Sequence, residues 1–141
     1  MSRQNVEALH QAIDAFNRRD LDAYLATNEP DVEFTPYERA LEGLGPYRGH
    51  DGVRTWWEDS FAALPDLNAE LHEVRDMGKI TLARGRLRGT GAGSGASFER
   101  TLWLANEWRD KKVVWMLKDF KNLGNSTAAS QLLGVEGNVI R

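Results

Sequence analysis

Apolar residues along this 141-residue chain change their prevailing spacing near Leu67, and that change limits the fold more than any other feature. Before it they recur mostly at steps of three and four, with one short alternating stretch; after it they alternate. Val6, Leu9, Ile13 and Phe16, with Ala8, Ala12 and Ala15 between them, mark one face of a first helix. Ser2 suits its N-cap, and Arg18 and Arg19 suit its C-terminal end, where positive charge is favoured. Asp20 is placed to cap a short second helix carrying Leu21, Tyr24 and Leu25, which Pro30 ends. Asp31 to Tyr37 reads as a strand, with Val32 and Phe34 alternating with Glu33 and Thr35. Gly43, Gly45, Pro46 and Gly49 make residues 38–50 a loop. Asp51 is placed to cap a third helix. Its Val53, Trp56, Trp57, Phe61 and Leu64 form a broad aromatic stripe, closed by Pro65.

Beyond Leu67 the period of two predicts strands over 67–76, 79–90, 97–109 and 112–121, joined as antiparallel hairpins. Met77-Gly78 and Asp110-Lys111 are tight connections, although Asp110-Lys111 offers neither the Asn nor the Gly that two-residue turns favour. Thr127 to Val135 suits a short final helix. Helices first and long antiparallel strands afterwards predict an α+β fold in one domain over residues 1–141. Strands of this length must twist, so a strongly curved sheet is expected, its concave face covered by the amphipathic helices.

Composition removes several functions. A net charge of −3 argues against a nucleic-acid surface, which needs a concentrated positive field. Zero cysteines exclude disulfides, thiolate metal sites and cysteine nucleophiles. No apolar run approaches the length of a membrane span. Met1 to Asn5 lack an apolar stretch of the kind a secretory leader carries, so a cytoplasmic location is expected. His10, His50 and His72 show no metal-ligand spacing, and no metal is expected. Gly89 to Gly95 lacks the Gly-Lys-Ser/Thr ending of a phosphate loop and joins two strand patterns, so it reads as a hairpin connection.

Asn5-Val6-Glu7, followed by Ala15-Phe16-Asn17-Arg18-Arg19-Asp20-Leu21-Asp22-Ala23, resembles the first helix of SnoaL-like proteins, in the nuclear-transport-factor-2-like superfamily. Asp31-Val32-Glu33-Phe34 resembles that family's first strand, and Tyr47-Arg48-Gly49-His50-Asp51-Gly52-Val53 its loop into the third helix. Gln131-Leu132-Leu133-Gly134 resembles its closing element. The resemblance implies a cone-shaped domain in which a curved antiparallel sheet and helices packed on its concave face enclose a pocket open at one end. It also implies a homodimer through the outer face of the sheet. Relatives include polyketide cyclases, ketosteroid isomerases, dehydratases and epoxide hydrolases, and others only bind ligands or proteins. Fold therefore leaves the activity open.

None of the known catalytic sets is complete. Where ketosteroid isomerases carry a base before a proline, this chain has Thr35 before Pro36. Their second acid corresponds to Leu104, and Phe16 is the nearest aromatic to their phenol donor. The Glu-His-Trp run of polyketide cyclases corresponds to Trp115-Met116-Leu117, with Asp119 and Asn122 following. No aspartate stands two positions from Arg84, Arg86 or Arg100, as an epoxide-hydrolase group would need.

The remaining polar candidates for acid–base work are His50, Asp119 and Tyr37. His50 is either a general base or a loop histidine bonded to backbone. Tyr37 is either a donor to substrate oxygen or an ordinary core edge. Trp56 and Phe61 are either an apolar wall or plain core. Parity on 79–90 puts Arg84, Arg86 and Arg88 opposite Ala83, Gly85 and Leu87, and the arginines suit an outer face. On 97–109, Phe98, Arg100, Leu102, Leu104, Asn106 and Trp108 share the inner parity by analogy with the isomerases. Arg100, Asn106 and Trp108 thereby join Trp56 and Phe61 as expected substrate-binding residues. The expected function is binding of a small apolar or polycyclic oxygenated molecule, with cyclisation, isomerisation or hydrolysis as acid–base reactions needing no cofactor. A non-catalytic module for a hydrophobic ligand or a protein stands beside it. An engineered member of the family is a further reading, since Lys79 and Lys111 occupy turn positions where relatives often carry Asp or Gly.

Overall fold

A computed structural model of the chain describes residues 2–35 and 46–118. The final helix expected over Thr127–Val135, and the site candidates Tyr37 and Asp119, lie outside the described residues.

Helix α1 runs from Ser2 to Arg18 and buries Ala8, Leu9, Ala12, Ala15 and Phe16, the stripe its spacing predicts. It stops in a left-handed residue, Arg19 at φ 64°. The Arg19 amide donates to Phe16 O (3.1 Å) and the Asp20 amide to Ala15 O (2.9 Å), closing the last turn on its own carbonyls. Asp20 Oδ1 then accepts from the Ala23 amide (3.1 Å) and caps α2, Leu21–Ala26, as expected. That helix ends at Thr27, before Pro30. Pro30 instead lies inside strand β1, Asn28–Thr35, which starts three residues earlier than its alternation suggested. A residue without an N–H cannot join a regular ladder. The pairing of β1 accordingly slips between Asn28 and Glu33.

The two-residue strand β2, Tyr47–Arg48, leads into α3, Gly49–Ala63. Asp51 does not cap α3. The N-cap is Arg48, without a side-chain cap bond, and Asp51 stands one turn further in, paired with Arg54 at 3.2 Å. Gly49 (φ 69°) makes that start earlier than sequence suggests, because it takes a backbone turn that other residues resist. The long strands follow: β3 Asn68–Asp76, β4 Ile80–Thr90, β5 Ser97–Arg109 and β6 Lys112–Lys118.

The six strands form one curved sheet in the order β2-β1-β6-β5-β4-β3. Every ladder is antiparallel except β1–β6, which is parallel. The hairpin readings hold. Thr90 pairs with Ser97 across the glycine-rich turn, which is closed by Gly91 N–H to Ala96 O at 2.9 Å.

Parity behaves as read. Ala83, Leu87, Leu102, Leu104 and Trp108 enter one core with the helices. Arg84, Arg86 and Arg88 face the other way and pair with Glu73 (3.5 Å), Glu99 (2.7 Å) and Glu70 (3.7 Å). Such half-exposed pairs add little stability each but keep that face polar. Among the described residues no helix is long and apolar enough to cross a membrane.

Candidate functional site

The helices are fixed to the sheet by a side chain that behaves like a strand. Asn17 Nδ2 donates to Ala69 O (2.8 Å), and the Ala69 amide donates to Asn17 Oδ1 (2.9 Å). Above this joint Phe16 is the hub of an aromatic cluster. Its ring centroid lies 5.0 Å from Phe61, 5.5 Å from Trp57, 5.9 Å from Trp56 and 6.3 Å from Tyr24. Stacked, edge and tilted contacts of this kind stiffen the wall beyond what area burial gives.

Between this cluster and the concave face lies a cavity of about 30 Å³. Phe16, Tyr24 and Trp56 line it from the helices, and Leu102, Leu104 and Met116 from the strands. That is room for roughly two water molecules. The polar side-chain groups of its described lining are the Trp56 indole N–H and the Tyr24 hydroxyl, and the hydroxyl meets the Met116 sulfur at 4.0 Å. Tyr24 is buried, and that burial raises its phenol far above the usual range, so it stays protonated and keeps its O–H to donate. A larger groove of about 750 Å³ opens outside, between α1, α2 and the β5–β6 turn. Its lining mixes Glu7, Asp14 and Asp110 with Arg18, Lys111 and Lys112. Both signs of charge in open water select no particular ligand, so the interior hollow is the candidate site.

The expected site residues fall at different distances from it. Trp56 lines the cavity. Phe61 packs behind it, its ring capped by the Arg19 guanidinium at 4.0 Å. Arg100 is half-buried, stands across the ladder from the lining residue Leu87, and has its guanidinium 5.8 Å from the Phe98 ring. Asn106 is buried on the concave side, opposite Met116, with no partner for its Oδ1 among the described residues. Trp108 donates its indole N–H to Thr81 at 2.9 Å. His50 is half-buried and its Nε2 lies 3.0 Å from Asn28 O, the backbone-bonded arrangement. No carboxylate or histidine lines the cavity among the described residues, and no group of three potential metal ligands occurs among them.

A family model for the SnoaL-like domain matches residues 9–116, from α1 through all but the end of β6. The chain belongs to the SnoaL-like family. Solved structures share this SnoaL-like fold across almost their whole length. An NTF2-like protein of unknown function from Burkholderia pseudomallei is 23% identical, with 86% of this chain and 95% of that one covered and a TM-score of 0.73. TerC, co-crystallised with polyporic acid, is 21% identical over 86% and 96%, with a TM-score of 0.73. IdmH from Streptomyces antibioticus, put forward as a polyketide cyclase, is 27% identical over 94% and 99%, with a TM-score of 0.70. No curated protein sequence matches the chain.

Tyr24 and Met116 are the site residues that sequence reasoning passed over. Tyr24 looked like one more apolar position of a short helix. Met116 looked like the gap left by a missing histidine. The available signal was the phenol itself: a hydroxyl on a buried stripe always needs an acceptor.

Proposed function

We propose that this SnoaL-like domain binds a small, ring-containing, oxygenated apolar molecule between its helices and the concave face of the sheet. The observation that carries the reading is the lining, which is apolar and aromatic around a single buried phenol. Few polar groups in an apolar enclosure fix orientation while area burial supplies affinity. Ligand pockets usually measure ~300 Å³ or more, so the lining must open to admit a ring system. Met116 is suited to move, having an unbranched side chain with three rotatable bonds.

Melting in the presence of steroid-, terpene- and polyketide-like compounds tests this reading. A ligand at a hundred times its Kd is expected to stabilise the protein by about 2.7 kcal/mol. Leu104→Phe, which fills the hollow, is expected to abolish that stabilisation. A panel in which no compound raises the Tm would overturn the reading.

A second reading adds catalysis, and the likeness to IdmH over nearly the full chain favours ring closure on a polyketide-like substrate. Such a reaction needs a base, for which Asp119 is the candidate, with Tyr37 and His50 as further acid–base residues. Asp119→Asn is then expected to abolish turnover of a substrate that the protein still binds. Unchanged turnover would remove Asp119 from that role.

A further inference from the structure

The Tyr24 hydroxyl is a strong donor placed against a weak acceptor. It lines the interior cavity, it is buried, and the Met116 sulfur lies 4.0 Å away, at the outer edge of contact. Thioethers accept hydrogen bonds poorly. A buried donor with a poor acceptor gains most when a better one arrives. The backbone that carries the ring is anchored, since Thr27 Oγ1 (2.7 Å) and Asn28 Nδ2 (2.8 Å) both donate to Tyr24 O. Those bonds, with Trp56 and Trp57 rings at 6.1 and 5.1 Å, hold the phenol in one position.

We propose that Tyr24 is the specificity-determining binding residue of this site, its phenol donating to a carbonyl oxygen of the ligand at the place the Met116 thioether now fills. The ligand class is thereby narrowed from apolar ring compounds in general to ring ketones and quinones. A phenol kept protonated by burial always carries the O–H that such an acceptor oxygen needs. Met116 acts as a stopper, covering the hydroxyl until a ligand oxygen displaces it. This inference rests on the ligand-binding reading above and adds to it the identity of the recognised group.

The pair 1-tetralone and tetralin, one ring skeleton with and without a carbonyl, separates the two statements. The wild-type protein is expected to bind 1-tetralone about tenfold more tightly, the worth of one buried hydrogen bond. Tyr24→Phe is expected to erase that preference while leaving tetralin affinity unchanged. The carbonyl stretch of bound 1-tetralone should lie at lower frequency in the wild type than in Tyr24→Phe, a signature that a merely structural tyrosine would not give. Met116→Leu, which keeps the volume and removes the sulfur, should keep or enlarge the preference. Equal binding of both compounds by the wild type, or a preference that survives Tyr24→Phe, overturns the inference and leaves ligand binding standing. Failure of the wild type to bind either compound overturns the inference, and the wider compound panel then decides the reading beneath it.

Discussion

The Trp108 indole N–H donates to Thr81 Oγ1 across 2.9 Å in the interior, tying β5 to β4 through side chains as well as backbone. Thr81 is 1% exposed and Trp108 4%, so water cannot replace either partner. Thr81→Val keeps the shape and strands the indole donor. The expected cost is about 1–3 kcal/mol, read from urea unfolding, with Thr81→Ser recovering most of it. A neutral Thr81→Val would show that the bond carries no net stability.

Asp66 gives the protein an acid-sensitive joint. It lies between α3 and β3 and accepts from the Thr90 amide (2.7 Å) and hydroxyl (2.9 Å) at the end of β4. The hydroxyl bond first, then the amide bond, with help from the Arg19 charge, hold its carboxyl below the usual range. The folded state therefore binds a proton less readily than the unfolded one. Stability from this group is complete above the unfolded carboxyl value of about 3.9 and is lost as pH falls through the lower folded value. Asp66→Ala should melt below the wild type at pH 7, and the gap should narrow as the pH falls below the unfolded carboxyl value. A gap that is independent of pH would assign the effect to something other than ionisation.

Gly85 allows β3 to bulge. A Cβ built there would lie 1.9 Å from the Glu70 carbonyl oxygen, beside the irregularity between Leu71 and Glu73. The three nearest atoms, in Glu70 and Leu71, are all backbone, so relief requires the strands to part. Gly85→Ala is expected to cost ~3 kcal/mol. Gly93→Ala, where an added Cβ meets nothing within 4 Å, should be neutral or slightly stabilising. Equal effects of the two substitutions would contradict the steric account.

Asp110 and Lys111 turn β5 into β6 with φ of 52° and 65°. Both residues sit in the left-handed region, which the twist of a two-residue hairpin demands and which costs an L-residue about 1–2 kcal/mol. Lys111→Gly is expected to stabilise the protein by ~1 kcal/mol after glycine's own entropy cost, visible as a raised urea midpoint. A lowered midpoint would mean that the lysine side chain makes a compensating contact.

The turn at Asp110 and Lys111 also shows where sequence reading succeeds and stops. Alternation on either side located the turn even though its residues argued against it, since burial of Leu102, Leu104, Asn106 and Trp108 along one face of β5 outweighs one poor connection. The same periodicity put Ala83 and Leu87 inside and Arg86 and Arg88 outside. Pro30 misled for the opposite reason: proline marks an interruption without saying of what, and here it interrupts a strand ladder rather than ending a helix. The parallel pairing of β1 with β6 joins residues about eighty positions apart and has no local signature. The contact of Tyr24 with Met116 spans 92 positions, so the chemistry of the cavity became legible only once the sheet had curved over the helices.

Asn106 separates what the fold needs from what the site keeps. It is 2% exposed, lies across the ladder from Met116 and Thr81, and its Oδ1 has no partner among the described residues. An unpaired buried amide oxygen costs about 1–3 kcal/mol, and a leucine of similar size would remove that cost. Asn106→Leu is therefore expected to raise the urea midpoint rather than lower it. A fold that would be more stable without a residue retains it for another purpose, and the side of the sheet that Asn106 shares with Met116 suggests ligand contact as that purpose. Asn106→Leu should accordingly weaken binding of an oxygenated ring ligand while stabilising the protein. A destabilised variant would show instead that the amide is paired in solution and belongs to the core.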